Sequence, residues 1–205
     1  MTAPAARTGT RPTLAQRRKE QTRLEIARTA ARLFAEHGTA EVTAERIAEE
    51  SGVGLRTFYR YCRTKEDAVE PMLSTGASRW LDTLAAGPGG RLPTPAEFEA
   101  AAVRAMTPGD DGKELETTRG LLRAMRNDPA LRAVWHRVNL NGERALLDVL
   151  TELSPESDSL QRRLTAAAAA GAIRVALEEW AADDAPSTPT DLVAHAMRTL
   201  TAGII

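Results

Sequence analysis

The chain has 205 residues, of which 42% are hydrophobic and only 4% aromatic, and its formal net charge is −1. No stretch of about 20 apolar residues is present, so no membrane span is expected, and Met1 to Gln16 lacks the apolar core of a secretory signal. Cys62 is the only cysteine, which excludes an internal disulfide and a multi-cysteine zinc site and makes the cytoplasm the expected location.

Abundant Ala, Leu, Glu and Arg with few β-branched or aromatic runs favour helix over sheet. The expected fold class is all-α, with no strand pattern and no internal repeat. Residues 1–14, rich in Pro, Thr, Ala and Gly, read as a disordered arm. A first helix is expected over about 15–37. Leu24, Ala27, Ala31 and Phe34 recur on it at helical spacing, as do Ile26, Ala30 and Leu33, and Gly38 ends it.

Thr43 is placed to cap a second helix, with Glu45 in its first turn, stopping at Ser51-Gly52. A short third helix is expected over 55–61. Thr64 is placed to cap a fourth helix that runs to about Ala85, with Glu66 and Asp67 in its first turn. Gly87-Pro88-Gly89-Gly90 and Pro93 break the pattern. Further helices are expected at about 95–107, 112–127, 129–153, 157–182 and 189–202, bounded by Pro108-Gly109, Pro129, Pro155 and the stretch 183–189.

Charge is unevenly placed. Residues 1–65 hold 13 Lys/Arg and 7 Asp/Glu, a balance of +6, whereas residues 66–205 hold 14 and 21, a balance of −7. A basic front segment on a near-neutral protein is the footprint of a nucleic-acid module joined to something else, or a cluster of solvated charges. The domain boundaries that follow are 1–14 for the arm, 15–65 for the basic module and 66–205 for the remainder.

The segment from Val42 to Tyr61 has the spacing of a helix-turn-helix. Ala48 is small where two helices must cross, Gly52 sits at the turn, where a positive φ is cheap for glycine, and Val53 and Phe58 fill the wedge. The second helix of such a unit enters the major groove with its N-terminal residues at the base edges.

The longer stretch from Arg17 to Val69 resembles the DNA-binding domain of TetR-family repressors. The likeness rests on Ile26-Ala-x-x-Ala-Ala-x-Leu-Phe-Ala-Glu-His-Gly, Val42-Thr-x-x-x-Ile-Ala-x-x-Ser-Gly-Val, Arg56-Thr-Phe-Tyr-Arg-Tyr and Thr64-Lys65-Glu66-Asp67-Ala-Val. It covers about 50 residues. The resemblance implies a homodimer with three DNA-binding helices and a helical ligand-binding and dimerisation domain. It also implies repression that a small molecule relieves. The chain departs from the pattern at Cys62, where a larger apolar residue is usual, so looser docking of the third helix is expected. A redox role for Cys62 competes with that of a buried, inert thiol.

Leu55, Arg56 and Thr57 open the recognition helix. Arg56 offers a fork that matches guanine O6 and N7, or else it meets a phosphate. Tyr59 and Tyr61 match family positions that touch the DNA backbone. Arg60 meets a phosphate or stays solvated. Thr43 serves as N-cap, as phosphate ligand, or as both. Lys65, a cation disfavoured at a helix start, is expected at a phosphate.

In the second part, Trp80, Met106, Leu121, Met125, Trp135, Val138 and Leu177 are candidates to line an effector pocket between helices, or are simply core. Arg174 is an interface pair, an anchor for an anionic ligand, or a solvated side chain. The Ala/Gly run around Ala170, with Leu192, Ala196 and Leu200, suits a four-helix dimer seam, or burial within one subunit.

The expected partners are a double-stranded DNA operator, a small-molecule effector and a second copy of the chain, without a membrane, metal or cofactor. An enzyme is disfavoured, because His37 stands beside the helix-ending Gly38 and reads as a C-terminal cap partner, His136 and His195 are isolated, and no phosphate loop, metal-ligand pair or nucleophile elbow is present. A helical adaptor without DNA function is the alternative. It accounts for the back half and leaves the basic helix-turn-helix unexplained.

Overall fold

The computed structural model describes residues 13–106, 113–182 and 188–201. Among these residues are nine α-helices and no strand. Of the arm expected at 1–14, residues 1–12 lie outside the described part.

Helix α1, Leu14–His37, begins at a reciprocal cap. The Gln16 N–H donates to Thr13 Oγ1, and the Thr13 N–H donates to the Gln16 side chain. Its buried stripe is Ile26, Ala27, Ala30, Ala31, Leu33 and Phe34. Gly38, with φ +77°, ends it. Helix α2, Ala44–Glu50, is capped by Thr43, whose hydroxyl oxygen accepts from the Arg46 N–H at 3.2 Å. Helix α3 is Leu55–Tyr61.

The continuous helix expected from Thr64 to Ala85 is divided. Thr64 Oγ1 accepts from the Asp67 N–H as expected, but Glu66–Val69 form a 3-10 turn, and helix α4 starts at Glu70 and runs to Ala85. Pro71 is the physical reason. It has no N–H to bond the carbonyl four residues back, so it suits the first turn of a new helix and not the interior of an old one.

The remaining helices are α5, Pro95–Met106; α6, Lys113–Ala124; α7, Pro129–Leu153; α8, Ser159–Ala182; and α9, Pro189–Thr201. Helix α6 stops before the expected 127. The Arg126 and Asn127 amides bond only three residues back, to Arg123 and Ala124, ahead of Pro129. Asp128 caps α7, accepting from the Leu131 N–H at 2.9 Å. Helix α4 packs on α5 and α7, α7 on α8, and α9 on α8 and α5, while α6 joins α1 to α8.

Two buried clusters result. The first runs from Ile26, Phe34, Ile47 and Phe58 through Val69 to Leu121, Met125, Trp135 and Trp180. It crosses the boundary expected at residue 65, so α6 and α7 share one core with α1. The second holds Trp80, Phe98, Ala101, Leu146, Leu150 and Val193. No helix of the described residues is long and apolar enough to cross a membrane.

Candidate DNA interface

The α2–α3 turn requires its glycine for conformation, not for space. Gly52 has φ +69°, and a Cβ there would meet nothing within 4 Å. The Val53 N–H donates to the Ala48 carbonyl at 2.9 Å, which closes α2 and turns the chain. The Gly54 carbonyl then accepts from the Thr57 and Phe58 amides and starts α3.

Phe58 anchors α3. It is fully buried, packed in the cluster with Ile47, Val42 and Phe34. The same rotation turns Leu55, Arg56, Tyr59 and Arg60 to solvent. Leu55 is 37% exposed and Tyr59 52%. Thr57 and Tyr61 are half-buried, and Tyr61 packs on the core. The Tyr59 ring meets the Phe58 ring edge-to-face at 5.4 Å, and the Arg60 guanidinium lies 5.4 Å from the centre of the Tyr61 ring. Thr43, at the start of α2, is exposed.

Cys62 caps the C-terminus of α3 and is buried, and its N–H donates to the Phe58 carbonyl at 2.9 Å. Burial pushes the thiol up to about 11, a value at which it stays protonated and unreactive. Burial and the raised thiol favour the inert alternative over a redox role.

Lys65 has intramolecular partners that its sequence position does not suggest. Its ammonium donates to the carbonyls of Thr39 at 2.5 Å and Val42 at 2.8 Å. The cation therefore has a reason to be there that involves no DNA: it braces the α1–α2 connection just before Thr43. It also precedes the 3-10 turn, not α4.

One group went unseen in the sequence. Arg18, Lys19 and Thr22 of α1 share an open groove of about 430 Å³ with Arg60 and Tyr61 of α3. Only the fold brings residues 40 positions apart side by side. The basic count of the front segment was the available signal, but spacing could not pick these two cations from the rest.

Further from α3, the α2 side of the domain is tied by charge. Glu50 accepts from Arg32 at 2.5 Å and from Arg46 at 3.0 Å, and these bonds hold its carboxyl below its ordinary value. The Glu50 bond uses Arg46 Nε, and Arg46 Nη2 lies 3.0 Å from His37 Nε2. His37, read from the sequence as a helix-end partner, thus meets α2. The 3-10 turn and α4 that follow the domain are held by Arg137 of α7, which reaches Asp67 at 2.5 Å and Glu70 at 3.2 Å, so the domain is tied through them to the helical remainder. It is tied again through the Thr39 hydroxyl, which donates to Asp128.

The eight candidate pocket residues are only partly brought together. Leu121, Met125, Trp135 and Val138 lie buried in the first cluster, and Trp80 and half-buried Met106 belong to the second. Leu177 touches both. The Trp135 indole N–H donates to Glu178 at 2.7 Å, and Glu178 pairs with Arg174 at 3.0 Å. Arg174 is therefore paired within α8, while the Trp135–Glu178 bond joins α7 to α8. None of the eight lines the cavity of about 300 Å³ at the end of α4 and α5.

Of the candidate seam, Ala170, Leu192, Ala196 and Leu200 are half-buried within the single chain, with Leu192 and Ala196 packed on the second cluster. Besides Leu14 of α1 and Leu140 of α7, the large apolar side chains left in water outside α3 are Leu160, Leu164 and Val175 of α8, 61%, 61% and 53% exposed. Their spacing puts them on one face with Gly171.

Residues 26–70 match the family model of bacterial regulatory proteins, tetR family, and residues 93–204 match the MftR C-terminal domain. The HTH-type transcriptional regulator TcmR of Streptomyces glaucescens is 30% identical over 176 residues, which span 82% of this chain and 77% of TcmR. The fold is shared with FadR of Thermus thermophilus, solved in complex with lauroyl-CoA, at 22% identity and TM-score 0.57 over 89% of this chain and 95% of FadR. It is shared with Salmonella enterica GusR at 16% identity and TM-score 0.50 over 89% and 94%. The basic helix-turn-helix, the second helical part and these matches agree: the chain belongs to the TetR family and is a DNA-binding transcriptional regulator, not an enzyme.

Proposed function

We propose that two copies of this chain bind a near-palindromic operator in the cytoplasm, repress the gene beside it, and release it when a small molecule binds the helical remainder. The observation that carries this reading is the orientation of α3. Phe58 is sunk in the core while Leu55, Arg56, Tyr59 and Arg60 stand in water on one short helix. An exposed leucine and tyrosine beside two arginines suit a base edge, a thymine methyl and phosphates better than they suit solvent.

In this reading Arg56 and Leu55 touch bases, with Thr57 beside them. Tyr59, Arg60, Tyr61 and Thr43 touch phosphates, joined by Arg18 and Lys19 of α1. Lys65 positions Thr43 and makes no base contact. The second copy docks through the α8 face bearing Leu160, Leu164 and Val175, continued by Ala196 and Leu200 of α9. Two identical readers related by a two-fold axis see inverted half-sites. The complex of FadR with lauroyl-CoA supports a small-molecule ligand for a chain of this fold.

The test is a mobility shift on DNA upstream of the chain's own gene, with fragment selection to define the site. A full inverted repeat should bind far more tightly than either half. Equal affinity for a half-site overturns the dimer reading, and no preference over scrambled DNA overturns the operator reading.

A further inference from the structure

Small residues leave a gap where α5 passes the end of α4. Ala96, Ala100 and Ala101 lie along one side of α5, and opposite them are Leu84, Pro88 of the following connection and Leu153 at the end of α7. Three alanines cannot fill the space that larger side chains would take, and the result is a cavity of about 300 Å³.

Its polar groups divide sharply. Thr83 already donates its hydroxyl to the Arg79 carbonyl. Glu97 is saturated: both its oxygens accept from Arg91 at 2.8 Å, and one also accepts from the Thr94 N–H and hydroxyl. Arg104 alone retains an unspent charge, since no described residue pairs with it. It stands two turns along α5 from Glu97, exposed, at the edge of an apolar wall. On the same α4–α5 seam, Trp80 packs on Phe98 with its indole N–H buried and without an acceptor among the described residues. This end of the bundle thus combines an unfilled space with an unsatisfied donor nearby.

We propose that this cavity is an effector site for a small apolar monocarboxylate, with the hydrocarbon body between α4 and α5 and the carboxylate on Arg104. The proposal rests on the regulator reading above only in taking the bound molecule as an effector. A buried apolar cavity of about 150 Å³ accommodates benzene, so twice that volume takes a body of about a dozen heavy atoms. The apolar wall favours such a body by removing its surface from water. The guanidinium selects an acid over its neutral amide, because a charge-assisted pair is the stronger bond.

The experiment is calorimetric titration of the full chain with decanoate and with 2-naphthoate, each set against its amide, alongside the operator mobility shift. At least one acid should bind, its amide should bind about tenfold more weakly, and saturating acid should weaken operator binding by about fivefold or more. Arg104→Gln should erase the preference for acid over amide while leaving ligand-free operator binding unchanged. Ala100→Phe, which fills the cavity, should abolish binding of both forms. Should Ala100→Phe fail to fold, Arg104→Gln and the amides still decide. If neither acid binds while the operator shift is intact, the effector site is overturned and the regulator reading stands. Binding that ignores Arg104→Gln, or that leaves operator affinity unchanged, overturns it as well. Binding with the expected mutant pattern but no operator shift at all instead overturns the regulator reading and leaves the site.

Discussion

Gly120 of α6 lies against Ala35 of α1 so closely that a Cβ at position 120 would sit 2.8 Å from the Ala35 Cβ. Gly142, also inside a helix, has room: a Cβ there would stand 4.0 Å from Ala77. The same substitution should therefore act with opposite signs. Gly142→Ala gains helix propensity, about 0.5–1 kcal/mol. Gly120→Ala gains as much but must push two helices apart, an overpacking cost of about 1–3 kcal/mol. Thermal unfolding should show Gly142→Ala a few degrees higher and Gly120→Ala a few degrees lower than the parent. A rise for both would show that α1 and α6 separate freely.

Arg56 and Tyr59 should separate reading from anchoring. Arg56→Ala is expected to cost about 1–3 kcal/mol on the operator and much less on scrambled DNA, because its fork needs a particular guanine. Tyr59→Phe should weaken both by a similar factor, since a phosphate contact carries no sequence information. Affinities measured at one fixed salt concentration decide it. Equal losses for Arg56→Ala on both DNAs would make Arg56 an anchor.

Lys65 should behave as a brace. Lys65→Met removes two charge-assisted bonds to the Thr39 and Val42 carbonyls, each of a kind worth about 1.5–3 kcal/mol when buried and less at this half-buried site. The melting temperature should fall in the absence of DNA, and operator and scrambled DNA should lose affinity together. An unchanged melting temperature with a salt slope lower by about one would restore Lys65 to the phosphates.

Leu164 tests the dimer face. Leu164→Glu introduces a charge onto the exposed apolar stripe of α8, at a side chain 61% exposed in the single chain. Sedimentation should show the monomer, and full-site affinity should fall toward that of a half-site. An unaltered dimer would move the interface elsewhere.

Glu97 sets one pH dependence. Bonds from Arg91, and then from Thr94, hold its carboxyl down to about 2 from an ordinary 4.5. A depressed carboxyl stabilises the fold above its unfolded value, and that contribution drains away as the pH falls from about 4.5 through 2. Glu97→Gln should flatten acid unfolding in that window. An identical acid profile would mean that the Arg91 pair contributes nothing to stability.

The legible parts of this molecule are those decided within a few residues. The Ile26-to-Phe34 stripe, the Thr43 cap and the Gly52 turn follow from helical periodicity, side-chain capping and the freedom of glycine at positive φ. Residue 65 marks the limit of that reasoning. A cation at a helix start looked anomalous on local grounds, and its partners are carbonyls more than 20 residues away. None of the eight large residues picked as pocket candidates lines the α4–α5 cavity, for a related reason. Bulky side chains fill space, whereas the cavity is bounded on α5 by Ala96, Ala100 and Ala101, and a gap cannot be read from side chains that are small.

The sequence by itself determined the all-helical class, the helix-turn-helix and the solvent-facing side of its recognition helix, because short-range periodicity and turn chemistry fix them. Only the tertiary structure decided that α1 and α6 share a core across residue 65, that Arg18 and Lys19 join Arg60, and that Arg104 stands beside a cavity with no partner among the described residues. Those relationships depend on which helices cross and how closely, and that is set by packing among residues far apart in the chain.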